Sequence, residues 1–220
     1  RKHGVPLVDD LGSGALLDLS PYGIEPEPLV QMSLEAGADV VCFSGDKLIG
    51  GPQSGIIVGR AELVQTMRKN PLARAFRVGK MTIAAMEATL RLFLDPDMLA
   101  KKHPVYRMLS ARPEALEARA RKVLEALKAQ RPHAAEYTIQ EGQSQVGSGS
   151  APVESLPTRV LAVRPRDGSA EALARRLRLH TPPIFPRVQR DAVLLDFRTI
   201  QEDEDPLLLE ALVETLESPE

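Results

Sequence analysis

A chain of 220 residues, 43% of them hydrophobic, can fill one large domain or two modest ones, which excludes a disordered polypeptide. Its 28 Lys and Arg against 30 Asp and Glu leave a formal charge of −2, so no global field draws in nucleic acid or an anionic membrane, and any polyanion must be held locally. No apolar run approaches the roughly 18 residues of a membrane span, Arg1-Lys2-His3 leads into a polar loop, and a lone cysteine excludes an internal disulfide, so the expected compartment is the cytoplasm.

Residues 5–8 are an apolar run stopped by Asp9-Asp10 and Gly12-Ser13-Gly14, which predicts a buried strand ending in a functional loop. Residues 26–36 have helix composition, with Pro28 in the first turn and Gly37 at the stop. A second strand is expected over residues 40–43, with Cys42 as a core thiol, giving the strand, helix, strand order of a parallel α/β sheet. Residues 56–58, between Gly55 and Gly59, make a third strand. A short helix over 61–69 comes next and breaks at Asn70-Pro71. Residues 82–94 form a helix ended by Asp95-Pro96-Asp97. From 103 to 131 the pattern is helical, interrupted near Pro113, and bridges two domains.

Beyond it the spacing predicts strands over 135–140 and 159–163, a helix over 169–179, a strand pair around 184–188 and 192–197, and a closing helix over 206–216. The polar stretch 141–150 reads as a loop, and the acidic run 202–205 favours the N-terminus of the last helix. The fold class is α/β: residues 1–100 as the C-terminal portion of a large domain, and 101–220 as a small α/β domain with an antiparallel sheet. Because the first strand has no earlier strand to pair with, the chain is expected to be the C-terminal part of a longer protein.

The chemistry concentrates at Lys47. An imine-forming lysine has to be deprotonated part of the time and rigidly aimed, so it belongs in a tight small-residue turn after a buried strand. Ser44-Gly45-Asp46-Lys47-Leu48-Ile49-Gly50-Gly51-Pro52 meets both needs, and Ser44 can offer its hydroxyl to a phosphate. The plain alternative is an exposed Asp46-Lys47 turn pair. Asp10, at a strand end one sheet neighbour away, would suit the pyridine nitrogen of pyridoxal phosphate (PLP), with Asp9 as its competitor. The Gly12-Ser13-Gly14 run is not a dinucleotide fingerprint, since its sixth position is Leu17, and no Walker A sequence occurs. His3, His103, His133 and His180 lack ligand spacing, so no metal site is expected. Arg119, Arg121, Lys122 and Lys128 read as a solvated helix face.

Taken together, Asp10-Leu-Gly-Ser-Gly14, Asp18-Leu-Ser-Pro-Tyr-Gly23, Phe43-Ser-Gly-Asp-Lys-Leu-Ile-Gly-Gly-Pro-Gln53 and Gly55-Ile-Ile-Val-Gly59 resemble bacterial L-seryl-tRNA(Sec) selenium transferases, the selenocysteine synthases. Arg74-Ala-Phe-Arg77, Lys80-Met-Thr, Gln145-Val-Gly-Ser-Gly-Ser150 and Leu195-Asp-Phe-Arg198 extend the likeness over essentially the whole chain. The wider resemblance is to the aspartate-aminotransferase-like (fold type I) PLP enzymes.

The resemblance implies that Lys47 holds PLP through an imine, that Asp10 faces the pyridine nitrogen, and that Ser44 and Gly12 line the cofactor site. It also implies that Arg74 and Arg77, three apart and so on one side of a turn or helix, bind selenophosphate. The implied reaction converts seryl-tRNA(Sec) to selenocysteinyl-tRNA(Sec): β-elimination gives aminoacrylyl-tRNA, and selenium from selenophosphate adds to it. Lys47 is the natural proton carrier. A homo-oligomeric ring is implied as well, with the rest of the cofactor pocket and the tRNA-binding domain in an N-terminal region. A related PLP lyase acting on a small phosphorylated amino acid or amino-sugar acid is the alternative reading, and a non-catalytic assembly or RNA-binding fragment is the third.

Overall fold

The computed structural model describes residues 4–147 and 155–217, so residues 1–3, His3 among them, and residues 148–150 of the Gln145 motif lie outside the described residues. The chain forms two compact units, Arg1–Ser110 with Gln145–Ser155, and Ala111–Ser144 with Leu156–Glu220.

The first unit contains β1 (Val8–Gly12), α1 (Val30–Glu35), β2 (Val40–Ser44), β3 (Gly55–Gly59), α2 (Ala61–Lys69), α3 (Pro71–Phe76), α4 (Lys80–Leu92), α5 (Pro96–Lys102) and α6 (Pro104–Ser110). The sheet order is β1-β2-β3, with β1 parallel and β3 antiparallel to β2. A short loop can return a chain only antiparallel, whereas the parallel β1–β2 step needs the crossover that α1 supplies. The predicted strand at 5–8 is displaced: pairing starts at Val8 and carries Asp9 and Asp10 inside the strand. Val5, Leu7 and Val8 are 69%, 56% and 60% exposed, because none of the described elements covers them. The helix expected over 26–36 begins only at Val30, since Leu29 is extended and bridges Ala15.

One face of this sheet is covered. Val41 and Phe43 of β2 pack with Val30, Ile49 and Met86, against partly buried Leu11, Ile56, Val58, Leu90 and Phe93. Each such side chain removed from water stabilises by roughly 1.5–3 kcal/mol. Next to it, Tyr22, Phe93, His103 and Tyr106 meet edge-on, with centroids 5.2 to 5.7 Å apart.

The second unit holds α7 (Pro113–Gln130), β4 (Ala135–Gln145), β5 (Ser155–Pro165), α8 (Ala170–Leu179), β6 (Arg187–Gln189), β7 (Ala192–Asp196) and α9 (Asp205–Glu217), in the sheet order β4-β5-β7-β6. β7 runs antiparallel to both β5 and β6. Arg190 and Asp191, with φ of 51° and 56°, form the tight β6–β7 turn. Apolar stripes of α7, α8 and α9 pack on one sheet face around fully buried Leu127, Leu161, Leu173, Leu177, Phe197 and Leu212.

Two expectations are corrected by this unit. The predicted loop from 141 is strand as far as Gln145; its polar residues sit on an edge strand, where alternation brings Ser144 inward to Asp196 Oδ2 at 2.6 Å. Arg119, read as solvated, is only 16% exposed. It donates to both Asp205 oxygens (2.9 and 2.6 Å) and to the carbonyls of Phe197, Ile200 and Gln201. The Leu195–Arg198 motif is structural within this unit. Asp196 accepts from Ser144, Thr158 and the Arg198 amide, and the Arg198 guanidinium donates to Ala111 O and Pro157 O.

Candidate active site

Lys47 sits in the loop joining β2 to β3. Three backbone bonds of 2.9 Å shape it: Gly45 N–H to Ser54 O, Gly51 N–H to Gly45 O, and Gly50 N–H to Lys47 O. Leu48 and Ile49, 1% and 0% exposed, anchor the turn in the core, while Lys47 beside them stays half-buried. Gly50 closes the turn with φ of 67°, a conformation that favours glycine, and a Cβ there would lie 2.5 Å from Cε1 of His103. The lysine therefore projects from a turn fixed by a backbone clasp and two buried side chains.

β-strand alternation sorts the two acidic candidates. Asp9 pairs with Val41, whose side chain is on the covered face, and it lines a cavity of about 330 Å³ with Met32, Ser33 and Ala36 of the α1 region. Asp10 pairs with Cys42, and Ser44 lies two residues beyond Cys42, so Asp10, Cys42 and Ser44 share the opposite face. That face is open around them: Asp10 is exposed, Cys42 and Ser44 are half-buried, and Ile57 is 48% exposed. The thiol of Cys42 is pushed up by burial first and next by the Asp10 carboxylate, which it faces. Cys42 is thus not the core thiol its apolar neighbours suggested. Asp10 Oδ1 also accepts the Gly12 N–H at 3.1 Å, and Gly12, with φ of 63°, turns the chain out of β1 beyond a bulge.

Arg74 and Arg77 are both exposed. α3 ends at Phe76, and Arg77 is its C-cap at φ −62°, ψ 136°, so the chain leaves the helix after Arg77. Between β3 and α4 lies an apolar groove of about 550 Å³ lined by Ile56, Val78, Ile83, Met86, Leu90 and Leu94, and it contains none of the six candidate residues. Among the described residues no group of three His, Cys, Asp or Glu is placed to hold a metal, and no helix is long and apolar enough to cross a membrane.

The residue that sequence reasoning passed over is His103, 1% exposed, whose Nε2 lies 2.8 Å from the Ile49 carbonyl oxygen. Its one sequence signal is its place immediately before Pro104, a helix-start pattern.

Residues 1–201 match the family described as L-seryl-tRNA selenium transferase. The chain belongs to this family. It is 48% identical over 217 residues to the L-seryl-tRNA(Sec) selenium transferase of Moorella thermoacetica, covering 99% of this chain and 46% of that protein. To the transferase of Solidesulfovibrio magneticus it is 47% identical over 215 residues, covering 96% and 45%. The chain thus spans about half the length of the curated relatives it matches. Among solved structures, D-glucosaminate-6-phosphate ammonia-lyase superposes with a TM-score of 0.54 at 21% identity, over 98% of this chain and 50% of that one, which is a likeness of fold.

Proposed function

We propose that this chain is the lysine-bearing part of a PLP-dependent L-seryl-tRNA(Sec) selenium transferase, which converts seryl-tRNA(Sec) to selenocysteinyl-tRNA(Sec) with selenophosphate. The observation that carries the reading is a rigid Lys47 turn beside an open sheet face bearing Asp10 and Ser44, in a chain 48% identical over nearly its whole length to a named transferase. The donor set fits the cofactor: an amine on a clasped turn for its aldehyde, a carboxylate for its ring nitrogen, and a hydroxyl with nearby glycine backbone for its phosphate. When bound, PLP supplies an electron sink for the carbanion left by loss of the α-proton.

The chain's own groups then divide the work. Lys47 Nζ would hold the cofactor and would carry the proton at the substrate α-carbon. Asp10 keeps a negative charge at one end of the site, and Ser44 Oγ donates at the other. Seryl-tRNA loses its α-proton and β-hydroxyl as water, selenium from selenophosphate bonds to the β-carbon, and the P–Se bond is cleaved by water to release phosphate. Arg74 and Arg77 supply positive charge for the incoming oxyanion, a role supported by their exposure and by the family likeness. A homo-oligomer is supported by apolar surface on α3 and α4, where Phe76, Met81 and Ile83 are 78%, 76% and 57% exposed. A cytoplasmic location accords with an aminoacyl-tRNA substrate.

The test is selenium transfer from selenophosphate to seryl-tRNA(Sec) by the longest polypeptide carrying this chain, with PLP, before and after Lys47→Ala. Transfer lost in the variant supports the reading; transfer unaffected by Lys47→Ala overturns it.

A further inference from the structure

His103 has two nitrogens with separate tasks. The Val105 N–H donates to Nδ1 at 3.2 Å, so Nδ1 carries no proton, and the side chain caps α6 from the position just before Pro104. The proton is then on Nε2, which donates to the carbonyl of Ile49 at 2.8 Å, 54 residues away in sequence and two beyond Lys47. The ring is 1% exposed, is held edge-on by Phe93 and Tyr106, and lies against the bare Cα of Gly50. A cap alone needs only Nδ1. The second bond runs into the lysine turn and ties the carbonyl of a fully buried residue to a fixed ring.

Resting on the proposed role of Lys47, we infer that His103 is a positioning residue for that lysine: its Nε2–H strut to Ile49 O holds the turn that aims the amine. The strut acts through the backbone. It limits opening of the clasp in which Gly50 N–H bonds to Lys47 O and Gly51 N–H bonds to Gly45 O. With the strut gone, the buried Ile49 carbonyl loses its partner and the turn opens more often.

Two substitutions separate the tasks. His103→Asn keeps an N-cap acceptor for Val105 but is too short to reach Ile49. His103→Gln places an amide N–H where Nε2 stood and gives up the cap. Amide exchange in this chain without cofactor reads the turn directly, and borohydride trapping of added PLP on Lys47 reads its consequence. His103→Asn is expected to speed exchange at Gly50 and Gly51 by about tenfold, with Val105 near wild type, and to lower trapping at Lys47. His103→Gln is expected to keep Gly50 and Gly51 near wild type while Val105 exchanges faster. Equal exchange at Gly50 and Gly51 in wild type and His103→Asn overturns the strut, as does loss of protection throughout the first unit in His103→Asn, which would make His103 a general core residue. If the amide pattern holds but PLP is not trapped at Lys47 in the wild type, the strut stands and the cofactor reading falls.

Discussion

Asp10 and Cys42 are register partners on adjacent parallel strands, and the carboxylate of the first faces the thiol of the second. This contact separates Asp10 from Asp9, which lies by α1 on the covered face. Burial and then the Asp10 charge hold the Cys42 thiol above its ordinary range, so its thiolate is scarce at mildly alkaline pH. Removing the carboxylate's charge lowers the thiol's pKa and enriches the thiolate. Asp10→Asn should therefore make Cys42 alkylate faster with iodoacetamide at about pH 8, and Asp9→Asn should do so less. Identical rates for Asp10→Asn and wild type at every pH would mean that Asp10 points elsewhere.

Gly50→Ala should destabilise the first unit by at least about 1–2 kcal/mol, because a left-handed residue gains a Cβ aimed at the His103 ring. Urea unfolding monitored by the fluorescence of the first unit's tyrosines, Tyr22 and Tyr106, measures it. A midpoint unchanged from wild type would show that the turn tolerates a side chain there and is looser than its backbone clasp requires.

In the second unit, Arg119 and Asp205 share two hydrogen bonds and are only 16% and 22% exposed, and the same guanidinium also ties three carbonyls. Truncation leaves buried acceptors unpaired, so Arg119→Ala should cost about 3–5 kcal/mol, well above a surface pair. Asp205→Ala should cost less, since the three carbonyl contacts survive. Chemical denaturation of both single variants and the double gives the coupling; an Arg119→Ala cost below about 1 kcal/mol would contradict the buried network.

Much of the fold is legible in the residues alone, and the exceptions share a cause. α2 starts at Ala61 and ends at Lys69 as its composition and the Asn70-Pro71 break required, and Asn70 caps α3 by accepting the Leu72 N–H. The glycines around Lys47 announce a turn. What sequence does not carry is anything decided by a partner far along the chain. The Ile49 carbonyl that engages His103, the Asp205 that engages Arg119 and the Asp196 that draws in Ser144 are 54, 86 and 52 residues distant. Apolar content misleads at residues 5–8 for the same reason: burial depends on a covering element, and composition does not reveal where that element lies.

The exposed Phe76 and Met81 should drive self-association. Sedimentation at rising concentration is expected to show oligomers that Phe76→Glu with Met81→Glu reduces, without a change in melting temperature. A wild-type chain that remains monomeric throughout, or association indifferent to both substitutions, would remove the support these residues lend to a homo-oligomer.

The central claim is that Lys47 holds PLP, and the most direct measurement is borohydride reduction of the chain with PLP, then peptide mapping. One pyridoxyl group per chain, on the peptide carrying Lys47 and absent after Lys47→Ala, is the expected result. Label spread over the exposed lysines at equal rates, with Lys47 no more reactive than Lys69 or Lys101, would contradict it.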